Sequence, residues 1–350
     1  MAAARPFRFG VQASALEGGT AATTGEGWRA LARKVEDLGF ATLTVADHLD
    51  DQLAVVPAIQ AAADATSTLR VGALVLCNDY RHPVVAAKEL ATLDVLSGGR
   101  AELGIGRGAN AAHYAGFGLP LEDSRERFVE GVRLLRRALS GERFSFQGRF
   151  FRVDDAALAP APLTAAVPRV AVTSEETASF AGAEGLPIMI ATHVNPVPRL
   201  RPLLAAYAAA RARAGHAPAS PDDLSLLMPL YVAESVQGAR DDMGPNIEHY
   251  RRLVTQLGQA ALAKCNSDAQ RAVLKPILER LGTLSFEQIN DGMGCFGTPD
   301  QCQRLLAELR REFNPGRVIA WFNFGGLLPH PSVLRSMQLF ARSVLPAFPD

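Results

Sequence analysis

The chain has 350 residues, of which 48% are apolar, and its 36 basic and 36 acidic side chains cancel. This composition excludes an intrinsically disordered protein, because disorder requires low hydrophobicity together with high net charge. It also argues against a nucleic-acid partner, since such binding depends on a concentrated positive surface.

The cysteines and the apolar stretches bear on the compartment. None of the four cysteines pairs with another at C-x-x-C spacing, and no charged-then-apolar leader precedes Phe7. The longest apolar stretches are far shorter than the about 20 residues needed to cross a bilayer. We therefore expect a cytoplasmic protein with free thiols and no membrane-spanning helix.

Short apolar runs alternate with longer amphipathic ones, a rhythm typical of parallel strands joined by helices. The predicted strands are 7–12, 43–46, 69–77, 101–105, 170–173, 187–191, 224–232 and 317–322. The main predicted helices are 28–38, 57–65, 83–96, 124–139 and 203–214. Eight strands with intervening helices close a (β/α)8 TIM barrel of the α/β class, so residues 1–350 are predicted to form one barrel domain with insertions.

Two segments depart from this rhythm. Residues 143–153 are expected to form a hairpin or an extended arm. The longest irregular stretch, 235–293, lies between the seventh and eighth strands, where Pro245, Gly258 and Pro276 interrupt weak helical patterns. An excursion of that length is usually functional, and we expect it to be an insertion that serves as a lid.

Asp47 and His48 follow the second strand directly. The carboxyl ends of the strands are where (β/α)8 barrels build their active sites. A lone histidine is often a structural hydrogen-bonding group, but an adjoining acid at a strand exit favours a functional one. His48 is therefore a candidate proton-transfer group near neutral pH.

Glycines 104, 106 and 108 follow the fourth strand. Gly104, Gly106 and Ala109 fit the G-x-G-x-x-A dinucleotide fingerprint, but that motif requires a helix to begin at once, and here residues 110–120 are predicted to continue as a loop. Small residues that let the strand pack closely are sufficient to explain the pattern. Arg107 adds a permanently charged, planar group suited to a phosphate.

The fifth strand runs into Thr173 and Ser174, with Glu176 and Thr177 just beyond. This pattern predicts a helix N-cap. The same geometry directs backbone N–H groups and hydroxyls at one point, which suits a phosphate, and Arg107 from the neighbouring strand could complete the site.

Several common chemistries lack support in the sequence. The histidines show no zinc-ligand or di-metal spacing, and there is no G-x-S-x-G nucleophile motif. A phosphate site, a histidine at a strand end and an apolar barrel mouth together indicate a site that uses a phosphorylated organic cofactor.

The ordered set of motifs resembles the bacterial luciferase-like flavin monooxygenases over nearly the whole chain. The matching blocks are 39–48, 71–83, 94–100, 103–108 with 113–118, 173–177 with 185–187, 297–299 and 336–346. Each block is weakly specific by itself, and the specificity lies in their order along the chain.

The resemblance assigns roles residue by residue. His48 lies where the family has its base, beside the acidic Asp47. The phosphate of FMN is gripped where this chain has Arg107, Ser174 and Thr177, with Thr173 beside them.

Leu74 and Val75 lie where the family keeps a non-prolyl cis peptide under the flavin ring. Gly106 stands where the luciferase α chain has a reactive cysteine, so light emission is not implied.

The resemblance implies an enzyme that uses reduced FMN and O2, through a C4a-peroxyflavin, to oxidise a small organic substrate. It also implies a separate flavin reductase as partner and a homodimer. Residues 78–83 and 93–100 also resemble the deazaflavin branch, whereas 107–108 and 117–118 favour FMN; an F420-dependent hydride transferase is therefore the alternative to the FMN enzyme. A flavin-binding protein without turnover is a further alternative.

Overall fold

The computed structural model describes residues 7–13, 24–49, 53–108, 111–164, 167–263 and 268–349. The strands in this part of the chain are β1 (Arg8–Gln12), β2 (Thr42–Val45), β3 (Arg70–Cys77), β4 (Ala101–Gly106), β5 (Phe144–Gln147), β6 (Arg152–Ala156), β7 (Arg169–Ala171), β8 (Ile188–Ala191), β9 (Leu224–Val232), β10 (Cys295–Gly297) and β11 (Arg317–Trp321).

The α-helices of the same part are α1 (Gly25–Asp37), α2 (Val55–Asp64), α3 (Pro83–Leu96), α4 (Ala111–Gly116), α5 (Ser124–Leu139), α6 (Glu175–Ala183), α7 (Val197–Arg213), α8 (Val236–Ala263), α9 (Asp268–Gly282), α10 (Phe286–Asn290), α11 (Pro299–Phe313) and α12 (His330–Ser343). None of the described helices is long and apolar enough to cross a membrane.

Eight parallel strands close into a barrel in the order β1, β2, β3, β4, β7, β8, β9, β11, and β11 returns to pair with β1. The predicted (β/α)8 TIM barrel is therefore confirmed. β5 and β6 form the predicted hairpin as a separate antiparallel pair. β10, a three-residue strand that the sequence analysis missed, adds to the outer edge of β9.

Burial explains why these segments are strands. β9 is buried at all nine positions, as expected for a strand covered on both faces. At β3, Gly72 lies so close to β4 that an added Cβ would be 2.4 Å from the backbone oxygen of Glu102. Only a residue without a side chain permits the two strands to pair at that point.

The prediction that 110–120 continue as a loop was wrong in part, because α4 occupies Ala111–Gly116. The prediction of an irregular excursion over 235–293 was also wrong in its local structure. α8 and α9 are regular helices that contain Pro245 and Pro276 respectively.

Tertiary packing explains why α8 and α9 remain helical despite Pro245 and Pro276. Buried side chains of α8 join residues around α10 in an apolar cluster of their own, which includes Met243, Ile247, Leu281, Phe286 and Ile289. Burial of this face outweighs the local helix-breaking residues. α8 also contacts α4, which follows β4, and we therefore interpret α8 as lying over the carboxyl end of the barrel.

Candidate active site

The carboxyl ends of β4 and β7 bring the predicted phosphate residues together. The two strands pair in register, with Gly104 opposite Arg169 and Ile105 opposite Val170. Arg107 therefore leaves β4 beside the segment that leads from β7 to Thr173. Thr173 lies beyond the end of β7, one residue before the cap of α6, and is exposed.

The N-terminus of α6 has the predicted cap. The Ser174 hydroxyl accepts from the Thr177 N–H at 3.2 Å, and the two hydroxyl oxygens are 3.1 Å apart. The first N–H groups of a helix have no partner inside it and carry partial positive charge. This end of α6 therefore presents donors and hydroxyls together.

Cations stand beside this helix end. Arg125 of α5 forms an ion pair with Glu176 in the first turn of α6. Burial and then the positive charge of Arg107 lower the pKa of Arg125, so the two guanidinium groups are near neighbours. The sequence analysis missed Arg125, because no local signal places α5 against α6.

This set of residues fits a phosphate monoester. Arg107 is exposed, and its backbone oxygen is held by the Tyr114 hydroxyl at 2.5 Å. Guanidinium groups, hydroxyls and the N–H groups at helix N-termini are the donors that bind phosphate in proteins. Arg107, Ser174 and Thr177 are therefore the residues that would hold a cofactor phosphate.

The floor of the site lies between β3 and β4. The peptide bond joining Leu74 to Val75 is cis, as the family resemblance implied. Gly106 leaves room for this segment, because an added Cβ would be 2.8 Å from the Val75 Cγ2 atom. A side chain at position 106, such as that of cysteine, would require Val75 to shift.

Two residues that the sequence analysis missed hold this floor. The buried Gln12 donates from its amide nitrogen to the Leu74 carbonyl at 3.1 Å. The Thr44 hydroxyl in turn donates to the Gln12 side-chain oxygen at 2.5 Å. Both lie in barrel strands, where a single polar residue is easily mistaken for a packing residue.

Asp47 joins the exits of β2 and β3. Its carboxylate accepts from the Arg81 guanidinium at 2.8 Å and from the Cys77 N–H at 3.0 Å. The Asp47 N–H donates to the Val75 carbonyl at 3.2 Å. These contacts fix the Asp47 carboxylate and backbone, whereas His48 next to it is exposed at the barrel mouth.

Burial raises the pKa of two further groups at the exit of β3, Cys77 and Tyr80. It raises the pKa of the Cys77 thiol to about 12, with the Asp47 charge as the next cause, so this thiol stays protonated. Burial likewise raises the pKa of Tyr80, whose hydroxyl is 2.6 Å from the His113 Nδ1 atom of α4. Tyr80 and His113 are thus a hydrogen-bonded pair on the rim of the site.

The exit of β8 contributes a histidine that the sequence analysis did not single out. His193 is buried, and its ring lies 5.5 Å from that of Trp321 and 6.2 Å from that of Tyr250. Burial and then the Arg280 charge lower its pKa to about 4, so His193 is neutral at pH 7. Its only sequence signal is its position two residues beyond a strand.

A cavity of about 360 Å³ lies at the opposite, amino end of the barrel. It contains the partly buried Glu102, which pairs with Arg70 at 2.5 Å and with Arg317. Its burial opposes ionisation, but the two arginines outweigh that effect and lower the pKa of Glu102 to about 2. We interpret this cavity as structural, because chemistry in such barrels occurs at the carboxyl end.

The fold and the site together define a closed (β/α)8 barrel with a phosphate-binding geometry at the exits of β4 and β7. Residues 7–313 match the family model for luciferase-like monooxygenases. The chain belongs to that family, and it is an oxidoreductase.

Individual relatives carry two different chemistries in their names. The chain is similar to 4-hydroxyprotoasukamycin monooxygenase of Streptomyces nodosus subsp. asukaensis, with 26% identity over 92% of this chain and 86% of that protein. It is also similar to the F420-dependent hydroxymycolic acid dehydrogenase of Mycobacterium tuberculosis, with 33% identity over 53% of this chain. The matched part is 54% of that dehydrogenase, so the chain spans about half of its length.

A solved structure shares the fold. The oxygenating constituent of the 3,6-diketocamphane monooxygenase from the CAM plasmid of Pseudomonas putida, in complex with FMN, superposes with a TM-score of 0.76. The superposition covers 97% of this chain and 98% of that one, at 18% identity.

Proposed function

We propose that this protein is a monooxygenase that uses reduced FMN and O2 to oxidise a small organic substrate. The observation that carries the proposal is the meeting of Arg107 with the capped N-terminus of α6, Ser174 and Thr177, at the paired ends of β4 and β7. Reduced flavin would supply the electrons that activate dioxygen. The chain's own residues bind it, orient it and limit the access of water.

The charge around the phosphate site favours FMN over F420. Glu175 and Glu176 follow the cap of α6 and are exposed, and Glu126 is exposed beside Arg125. Arg125 and Arg149 are already paired with Glu176 and Glu126, so the tail of carboxylates that F420 carries beyond its phosphodiester would meet neutralised cations and the exposed Glu175. The phosphate of FMN is terminal, so FMN would end at the guanidinium groups of Arg107 and Arg125.

His48 is the proposed base. It lies at the exit of β2, next to Asp47, whose contacts with Arg81 and Cys77 fix the backbone at this point. A histidine in this place can take up or deliver a proton during the reaction. α8, which lies across the mouth, is the proposed lid that keeps water from the reacting atoms.

F420-dependent hydride transfer is the second candidate function. It is favoured by the 33% identity to the dehydrogenase of Mycobacterium tuberculosis. A homodimer and a separate flavin reductase remain proposals that follow from the family resemblance.

Titration of the purified protein with FMN tests the phosphate site. Replacing Arg107 and Ser174 together by alanine should raise the Kd for FMN about 100-fold, because charge-assisted hydrogen bonds contribute roughly 1.5–3 kcal/mol each. Flavin fluorescence quenching measures the affinity. The Kd for riboflavin, which lacks the phosphate, should stay nearly unchanged.

The control variant is Arg304→Ala, an exposed position on α11. It should bind FMN as the wild type does. If the double variant binds FMN as tightly as the wild type, the phosphate site is wrong. If the wild type binds F420 more tightly than FMN and consumes no O2, the second candidate function replaces the first.

A further inference from the structure

We propose that the loop after β8, with Arg280 of α9 against it, binds the carboxylate of the substrate. The apolar remainder of that substrate would lie along Tyr250, Trp321 and Phe324. This inference rests on the proposed function, because it names the substrate class of the same site.

Three buried nitrogen atoms at this place have no hydrogen-bond partner among the described residues. They are His193 Nδ1, Asn195 Nδ2 and Arg280 Nε. The guanidinium of Arg280 also donates to the Val194 carbonyl, which places it against the loop that carries His193 and Asn195. Buried polar groups are rarely left unpaired, so this grouping indicates a ligand that accepts hydrogen bonds.

The positive charge of Arg280 and Arg199 favours an anionic ligand. Within the described ranges, no carboxylate lies within 4 Å of Arg280 or of Arg199 in the first turn of α7. The two arginines are near enough to repel, since the charge of Arg199 helps burial to lower the pKa of Arg280. An uncharged ketone would satisfy one donor and leave this positive charge without compensation.

The neighbouring walls are aromatic. The Tyr250 and Phe324 rings are 4.3 Å apart, and the Trp321 and Phe324 rings are 5.0 Å apart. Trp321 also packs against the barrel interior formed by Leu74, Leu227 and Ile319, where the flavin ring is proposed to lie. A substrate held by its carboxylate at Arg280 would therefore place its apolar part between the lid and the flavin.

Planar geometry favours a carboxylate among the oxyanions. A guanidinium presents parallel N–H donors that match the two oxygens of a carboxylate. The aromatic walls provide apolar surface and few partners for hydroxyl groups, which argues against a sugar phosphate.

Calorimetry with matched ligand pairs tests the proposal on the full chain loaded with FMN. The pairs are phenylacetate with phenylacetamide, cyclohexanecarboxylate with its amide, and decanoate with its amide. We expect at least one carboxylate to bind about 10-fold or more tightly than its amide, with an affinity that falls as salt is added. Arg280→Gln should weaken that carboxylate about 10- to 100-fold and leave the amide unchanged.

Two further variants separate recognition from loss of structure. Arg252→Gln removes the same charge from an exposed position on α8 and should change neither ligand's affinity. Asn195→Ala removes a second donor without touching α9 and should weaken the same carboxylate about threefold or more. FMN affinity, measured on every variant, reports whether the barrel is intact.

These measurements distinguish failure of the carboxylate inference from failure of the proposed function. The inference is overturned if no carboxylate exceeds its amide in affinity, or if Arg280→Gln and Asn195→Ala both retain wild-type binding. In either case unchanged FMN binding would leave the proposed function standing. Failure of the wild type to bind FMN would overturn the proposed function instead.

Discussion

His48 stands exposed at the exit of β2, beside an Asp47 that is fully engaged by Arg81 and Cys77. Replacing His48 by Asn should lower the rate of the chemical step by about 10²- to 10⁴-fold, because a general base is lost. FMN affinity should stay within about twofold of the wild type, since His48 is not among the phosphate residues. Rapid-mixing turnover with an accepted substrate, together with flavin titration, measures both effects. An unchanged rate would remove His48 from the mechanism.

The buried His193 makes stability depend on pH. Its folded-state pKa of about 4 lies below the unfolded value of 6.5, so between these values the unfolded chain binds more protons. Stability is therefore expected to fall as pH drops from 6.5 towards 4, by about 3 kcal/mol in total from this group. Urea denaturation at pH 7, 5.5 and 4.5 measures the slope.

Two variants isolate this contribution. His193→Asn should flatten the pH dependence in that range, whereas Arg304→Ala, at an exposed position, should keep the wild-type slope because arginine does not titrate there. Equal slopes in the wild type and His193→Asn would show that His193 is protonated in the folded state as readily as in the unfolded one.

At the scale of elements, the contact between β3 and β4 leaves no room for a side chain at position 72. Gly72→Ala would place a Cβ 2.4 Å from the Glu102 backbone oxygen, so one strand must move. We expect a loss of about 3 kcal/mol or more in the free energy of unfolding, by analogy with overpacking of a core. Thermal and urea denaturation followed by circular dichroism measure it.

Gly116→Ala is the matched control. An added Cβ at this exposed last residue of α4 meets nothing within 4 Å, and alanine favours a helix over glycine by up to about 1 kcal/mol. This variant should be as stable as the wild type or slightly more so. If Gly72→Ala behaves like Gly116→Ala, the close approach of β3 and β4 is not as described.

The helices differed in how well the sequence predicted them. Period and capping signals were sufficient for α3 and α5, whose bounds agree with the prediction. The 235–293 segment was misjudged because Pro245 and Pro276 are local breakers, and only packing against barrel residues shows that the helices persist. Local signals do not report such long-range burial.

At the scale of the whole molecule, the apolar side chains form two main clusters. One fills the space between the barrel and its outer helices, and the other gathers α8, α10 and the residues next to β10. Separate clusters open as separate cooperative units. Native-state hydrogen exchange in low urea should therefore show α8 and α10 opening at a lower free energy than β1, β9 and β11.

FMN binding refines that prediction. If α8 is a lid, its exchange should slow when FMN and a bound carboxylate are both present, while exchange in α11, on the outside of the barrel, stays constant. Mass spectrometry of peptic fragments measures the exchange of α8 and of α11 separately. A single opening free energy for all segments would contradict the two-unit organisation.

The sequence by itself determined the barrel, the two strand exits with Arg107 and Ser174, and the histidine at the exit of β2. These features follow from periodicity and from residues next to strand ends, both of which are local. Only the tertiary structure decided that Arg125 lies beside Arg107 and the first turn of α6, that Gln12 holds the Leu74 carbonyl, and that Arg280 lies against the loop after β8. Each of these contacts joins residues that are distant in sequence, and their positions depend on how the whole barrel closes.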